Sequence, residues 1–299
     1  MSQFTLPSLR LVLFTGGRPP NLTHTLIKAF KALRQQVLLV ITSRDPYHMY
    51  HGTIAYVSHD QNVLISNNMD LLPVLLTGLA PDLIFCAGFP LRFPPELLAL
   101  PRLGCVNSHP SLLPKYRGKR PLFWQFMHGE TQTGITFHRM DADFNTGPIL
   151  VQRKLEITPE DDALSMWGKF LKLEVSMLPE MLALAAAGTQ GTPQPAIGAS
   201  YAPSPGVTER QLGWTCSATY LHNQIRALAW EGVRALIDGQ AMLVRRSRVV
   251  DSPKVSATPG TLLACTAEGM LIQTGQDALM ITGYVSEDQI RRFAFPNTQ

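Results

Sequence analysis

Residues 104–149 read GCVNSHPSLLPKYRGKRPLFWQFMHGETQTGITFHRMDADFNTGPI, and the placing of this stretch decides the fold. Val106-Asn107-Ser108-His109-Pro110 ends a predicted strand in a loop. In open α/β sheets ligands bind at that edge, outside the carboxyl ends of the strands. Asn107 and His109 are two residues apart, so on an extended chain they face the same side. An amide that donates to an oxyanion and an imidazole that moves protons suit acyl transfer. The same pair beside Pro110 also suits the simpler task of satisfying loop backbone groups, and these five residues alone leave both readings open.

Working outward, the N-terminal side alternates short apolar runs with helical patterns. Residues 9–14 are strand-like and end at Gly16-Gly17; residues 22–35 are helical, with Leu26, Ile27, Phe30 and Leu33 on one face. Residues 37–42 form a second β-branched run bounded by Ser43-Arg44-Asp45-Pro46, residues 71–79 are helix-like, and 83–87 are strand-like again. This alternation predicts an α/β fold: βαβ units on a Rossmann-like, mostly parallel sheet covered on both faces. The Gly16-Gly17 turn lacks the G-x-G-x-x-G spacing, so no dinucleotide site is read there.

On the C-terminal side come strand-like runs at 134–140 and 148–157, then a long helix over 161–187, capped by Asp161 or Asp162 and stopped by Gly188. Residues 188–207, GTQGTPQPAIGASYAPSPGV, carry the Gly/Pro/Ser density of a linker. Beyond them a helical pattern spans 218–236, and short β-like runs at 241–244, 261–265 and 270–274 predict a small, mostly β, barrel-like domain. The expected division is a catalytic-type domain at 1–190, a linker at 191–207 and a C-terminal domain at 208–299.

Composition narrows the function. Hydrophobic residues make up 45% and charged residues 16%, a balance that packs a core and argues against disorder. No apolar run reaches the roughly 18 residues of a membrane span, and Met-Ser-Gln-Phe-Thr-Leu lacks the features of a secretory signal. A cytoplasmic protein without a membrane partner is expected. Cys86, Cys105, Cys216 and Cys265 are scattered without metal or disulfide spacing, so reduced thiols and no metal are expected. The net charge of +4 tolerates an anionic ligand without demanding nucleic acid.

The longer pattern in 104–149 resembles a known family. Asn107, His109, Ser111, Leu112, Leu113, Pro114, Tyr116, Arg117-Gly118, Pro121, Trp124, Gly129-Glu130, Gly134, Thr136, His138, Met140-Asp141 and Gly147-Pro148-Ile149 occur in the order found in 10-formyltetrahydrofolate-dependent formyltransferases. Tyr201-Ala202-Pro203, Ile225-Arg226-Ala227 and Pro259-Gly260-Thr261 are similar to that family's small OB-like domain. The resemblance implies the formyltransferase fold followed by an OB-like domain, with 10-formyltetrahydrofolate as formyl donor. It implies that Asn107 donates to the tetrahedral oxyanion and that His109 assists proton movement. It also implies donor binding by Phe89, Leu91 and Phe93 of the segment Phe89-Pro90-Leu91-Arg92-Phe93-Pro94, and by Leu112, Pro114, Asp141 and Asp143, with Ser111, Tyr116 and Arg117 lining the acceptor side.

One position departs from the family. Its catalytic Asp falls, by counting from His138 and from Gly147-Pro148, on Asn145. An amide keeps the shape of the acid but neither carries charge nor accepts a proton at neutral pH. On a strand-like segment Asp141 and Asp143 share a face with Asn145, which makes either a potential stand-in. His128 and His138 are read as structural, and Phe123 and Trp124 as core. The stretch 42–52, Thr-Ser-Arg-Asp-Pro-Tyr-His-Met-Tyr-His-Gly, is short and barely basic, whereas a tRNA partner calls for several phosphate-neutralising side chains. The sequence reading therefore favours a small primary amine, an amino sugar or an amino-acid-derived molecule. The alternatives are methionyl-tRNA, to which Arg245-Arg246-Ser247-Arg248 lends some support, a 10-formyltetrahydrofolate hydrolase, and a catalytically silent folate-binding homologue. The sequence carries no reading of oligomeric state.

Overall fold

The computed structural model describes residues 6–16, 21–43, 61–250 and 257–286. Gly17 and residues 44–52, both used in the sequence reading, lie outside the described residues. Along the chain come β1 (Arg10–Thr15), α1 (Leu22–Ala32), β2 (Gln36–Thr42), β3 (Val63–Ile65), α2 (Leu72–Thr77), β4 (Leu83–Ala87), α3 (Pro95–Ala99) and β5 (Cys105–His109). Next are β6 (Arg117–Gly118), α4 (Pro121–Met127), β7 (Gln132–Arg139), β8 (Ile149–Glu156), α5 (Ala163–Ala186) and β9 (Tyr201–Ala202). The last elements are α6 (Ala218–Ala227), β10 (Val233–Ile237), β11 (Gln240–Val250), β12 (Leu262–Thr266), β13 (Gly269–Gln273) and β14 (Ala278–Ser286). The chain divides into two compact units, one made of residues 1–119, 132–156 and 167–202, the other of 120–131, 157–166 and 203–299.

In the first unit a seven-stranded sheet runs in the order β3-β2-β1-β4-β5-β7-β8. Strands β3 to β5 are parallel, while β7 joins β5 and β8 joins β7 antiparallel. Strand β4 is buried throughout and β1 at all but Arg10, because a parallel strand covered on both faces needs apolar residues at every position. The two faces are distinct. Phe85 meets Phe30 of α1 and Phe137 of β7 edge-on, at centroid distances of 5.3 and 5.7 Å. Val12, Phe14, Ile84 and Cys86 share a core cluster with Leu72 and Leu76 of α2 and Leu97 of α3. Burial pushes the Cys86 thiol up to about 12, which leaves it an inert core residue.

Helix α5 begins where the acidic pair predicts. Asp162 Oδ1 accepts from the backbone N–H groups of Leu164 and Ser165 at 2.9 and 2.8 Å, so Asp162 caps the helix. Asp161 instead accepts from Thr158 N and Ser165 Oγ, at 2.8 and 2.7 Å, tying the preceding turn. In the second unit a five-stranded antiparallel sheet, order β10-β11-β14-β13-β12, accompanies α6. The helical pattern over 218–236 proves too long. Helix α6 ends at Ala227, Gly232 takes a left-handed φ of 80°, and residues 233–237 form a strand whose burial alternates. Val-Arg-Ala-Leu-Ile fits a period of two as well as a helical face, and the glycine turn settles the choice. Among the described residues no helix is long and apolar enough to cross a membrane.

One buried charge marks the sheet's second face. Ser108, between Asn107 and His109, points away from them and donates to Glu174 of α5; burial raises the Glu174 carboxyl to about 7, and its Oε1 has no partner. A carboxyl raised from its unfolded value near 4.5 stabilises the fold most below that value, and the contribution is lost as pH rises through about 7. Glu174→Gln removes this ionisation. In denaturant titrations its stability relative to the parent chain is expected to improve by about 1 kcal/mol or more between about pH 5 and pH 8. A pH-independent difference would show that Glu174 keeps an ordinary carboxyl.

Candidate active site

The site forms where the sheet changes from parallel to antiparallel pairing. Strands β5 and β7 set Asn107 opposite His138, Ser108 opposite Phe137, and His109 opposite Thr136. Alternation therefore puts Asn107, His109, Thr136 and His138 on one face. The Asn107 Nδ2 lies 3.0 Å from His138 Nε2 and donates to Asn145 Oδ1 at 3.1 Å, which engages both of its N–H groups. His138 Nδ1 lies 2.7 Å from the Arg139 carbonyl. A carbonyl only accepts, so Nδ1 carries the proton of the neutral ring and Nε2 is the acceptor facing Asn107. Burial holds the His138 pKa below the ordinary imidazole value, opposed by the Arg139 carbonyl, Asn145 and Asp141.

His109 is anchored separately. Its Nε2 donates to the Tyr116 carbonyl at 2.7 Å, which leaves Nδ1 as the bare nitrogen. Burial lowers its pKa to about 3, so the ring is neutral throughout the physiological range. The Asn145 side chain meets Asn107 and, at 3.4 Å, the Gly118 carbonyl.

Residues 141–148 form a loop between β7 and β8, not the strand-like segment on which Asp141 and Asp143 would share a face with Asn145. Asp141 Oδ1 accepts from Thr146 Oγ1 at 2.7 Å and from Asp143 N at 3.3 Å, closing a local turn. Asp143 is exposed and pairs with Arg92 at 3.8 Å, so neither acid replaces the missing carboxylate beside Asn107. Asn145 reaches the site from a left-handed φ of 59°, a conformation that Asn tolerates better than most residues. Gly147 is required for a different reason: a Cβ there would lie 2.0 Å from the Arg139 carbonyl oxygen, the same oxygen that orients His138.

The Gly/Pro-rich segment expected to be a linker is fastened along this site. Thr192 exchanges backbone bonds with Ile149, Ser200 Oγ accepts from Tyr116 N at 2.8 Å, and β9 pairs with β6. Gln194 does most of the fastening. Its Oε1 accepts from Arg117 Nε and Nη2 at 3.1 and 2.8 Å, and its Nε2 donates to the Asn145 and Gly147 carbonyls at 2.9 and 2.8 Å. Sequence reasoning passed over Gln194, because composition marks a loop without naming its partners. It also set His138 aside as structural, although that residue served as the ruler for locating Asn145.

The remaining expected residues are placed as follows. Phe89 and Phe93 turn into the core against Phe14, at centroid distances of 5.1 and 4.5 Å, and Leu91 packs partly buried beside them. Leu112 and Pro114 are half-buried. Ser111 is fully buried, donating to the Lys115 carbonyl at 2.7 Å, so its hydroxyl holds a turn. Among the described residues no group of three His, Cys, Asp or Glu side chains could hold a metal ion.

Comparison with known proteins settles the family. Residues 9–182 match the formyl transferase model, and residues 207–290 match its C-terminal domain. The chain belongs to the formyl transferase family. The methionyl-tRNA formyltransferase of Pelobacter propionicus is 39% identical over 275 residues, covering 88% of this chain and 84% of that protein. Among solved structures, HypX from Aquifex aeolicus in complex with tetrahydrofolic acid superposes with a TM-score of 0.70 at 19% identity. It covers 92% of this chain, which spans 44% of HypX. The Helicobacter canadensis N-formyltransferase, solved with folinic acid and dTDP-3-aminofucose, gives 0.66 at 18% identity over 91% of this chain and 98% of that one. At such identities the two structures establish a shared fold only.

In this formyl transferase Gln194 joins the segment at 191–202 to the loop that carries Asn145. Removing it leaves two carbonyls and a guanidinium short of a partner, a loss of about 1–3 kcal/mol. Gln194→Ala is therefore expected to lower the melting temperature and to speed limited proteolysis within residues 190–202. Unchanged cleavage would show that the backbone pairs at Thr192 and β9 suffice.

Proposed function

We propose that this chain transfers the formyl group of 10-formyltetrahydrofolate to the amine of methionyl-tRNA. The observation that carries the reaction type is the amide–imidazole pair Asn107 and His109 on one face at the carboxyl edge of a formyl transferase sheet. The acceptor reading moves away from the small amine favoured by the sequence. Its support is the 39% identity to a methionyl-tRNA formyltransferase along most of both chains, against 16–20% for sugar formyltransferases of shared fold. The short 42–52 stretch that argued for a small acceptor lies largely outside the described residues.

The donor supplies an activated formyl carbon, and the residues suit it. Leu91, Leu112 and Pro114 offer half-buried apolar surface for a flat pterin, while the inward turn of Phe89 and Phe93 leaves main chain of that loop to face it. Asp141 and Asp143 stand exposed on the neighbouring loop, and Arg117 is half-buried next to the buried Tyr116. Asn107 donates to the formyl oxygen as negative charge gathers there; one such donor is typically worth about 3 kcal/mol. The N–H that rests on Asn145 is the one handed over, since His138 holds the other. Neutral His109, with Nδ1 bare, receives a proton from the attacking amine and returns it to the departing nitrogen.

The test is turnover of 10-formyltetrahydrofolate, read as tetrahydrofolate release, with methionyl-tRNA, amino sugars and amino acids as acceptors. Formylation of methionyl-tRNA is expected, and Asn107→Ala or His109→Ala should each reduce kcat by roughly 10²-fold or more. Asn145→Asp is expected to raise kcat, by up to about 10²-fold where a carboxylate restores acid–base participation. Release without any acceptor would identify a hydrolase. Tight binding of a 10-formyl-folate analogue without turnover would identify a silent homologue.

A further inference from the structure

We propose that His138 is a positioning residue for the transfer, its Nε2 fixing which end of the Asn107 amide faces the substrate. This rests on the formyl-transfer reading above. The two ends of an amide have nearly the same shape, and only hydrogen bonding tells nitrogen from oxygen. A carboxylate at residue 145 would be an acceptor alone and would hold Nδ2 of Asn107 toward itself. An amide at 145 both donates and accepts, so the Asn107–Asn145 bond is satisfied with both groups reversed, opposed from the loop only by the long 3.4 Å bond of Asn145 Nδ2 to the Gly118 carbonyl. In the reversed pair Asn107 would present Oδ1 to residue 145 by accepting from it, and its polarity toward substrate would be undefined.

His138 removes the ambiguity. Its Nδ1–H is committed to the Arg139 carbonyl at 2.7 Å, which no reversal alters, so Nε2 can only accept. That nitrogen sits 3.0 Å from Asn107 Nδ2 on the adjacent antiparallel strand, at a directly opposed position. The Arg139 carbonyl is itself held by the close approach of Gly147, where a Cβ would come within 2.0 Å of it. The acceptor-only partner that the family acid would supply from the loop is thus supplied here from β7. His138 also keeps hold of Asn107 when the bond to Asn145 is given up to the substrate oxygen.

The experiment is a double-mutant cycle in the full chain, together with side-chain nitrogen NMR. His138→Leu, which fills the ring's place without an acceptor, is expected to lower kcat roughly tenfold to a hundredfold, with the donor KM within about twofold. In an Asn145→Asp background the same substitution should cost less than about threefold, because the carboxylate then orients Asn107 alone. Equal losses in both backgrounds would overturn the proposal, as would no loss in either. In the parent chain NMR should show His138 neutral with the proton on Nδ1, and one set of Asn107 side-chain amide signals; in His138→Leu a second set, or exchange broadening, should appear. A proton on Nε2, or Asn107 signals unchanged by His138→Leu, would overturn the proposal without any turnover measurement. A parent chain with no transfer to any acceptor would instead sink the formyl-transfer reading, and the NMR arm would still decide the role of His138.

Discussion

The antiparallel pairing of β7 onto β5 is the constraint on which the site depends. Up to β5 the sheet is parallel; at β7 the direction reverses and the register sets Asn107 against His138 and His109 against Thr136. Side chains on a strand alternate with a period of two, so a slip of one residue would turn Asn107 and His109 toward Glu174 and bring Ser108 to the site. Register is protected by the apolar face behind it, where Phe137 meets Phe85 and Phe85 meets Phe30. Reaction geometry and core packing are two faces of one ladder.

Around that ladder the protein builds a polar cluster with little free charge. Both imidazoles are buried and pushed toward neutrality, so each ring presents a defined lone pair at rest. Each ring is anchored by a backbone carbonyl, Tyr116 for His109 and Arg139 for His138, and each anchor selects the tautomer. Tyr116 and Asn145 take left-handed φ values of 60° and 59°, conformations retained because neighbouring bonds hold them. Gln194 is central among those neighbours, bridging Arg117 to the carbonyls of Asn145 and Gly147.

The departures from the sequence reading share one cause: a local pattern names the kind of segment and not its partner. Residues 188–207 have linker composition, yet Thr192, Gln194, Ser200 and β9 find partners on chain about 40 to 85 residues away in sequence, beyond the reach of local pattern. Asp143 stood two residues from Asn145 and looked like a substitute acid, but the 141–148 loop turns it outward to Arg92. Val-Arg-Ala-Leu-Ile continued a helical pattern until Gly232 broke it and β11 paired with it. Which way Phe89 and Phe93 face, into the cluster around Phe14, was likewise not legible from the segment 89–94.

By itself the amino-acid sequence determined the layered α/β class, the parallel strands, the capped helix α5, and the ordered motif at 104–149 that places the chain among the formyl transferases. These rest on periodicity, capping chemistry and fixed spacing, which are local properties of a chain. Only the tertiary structure decided that Asn145 addresses Asn107 rather than His109, that His138 joins them, and that a Gly/Pro-rich segment fastens the loop beneath. Hydrogen bonds between side chains far apart in sequence depend on strand register and on which lone pair a backbone carbonyl leaves free. Neither is set until the sheet has closed.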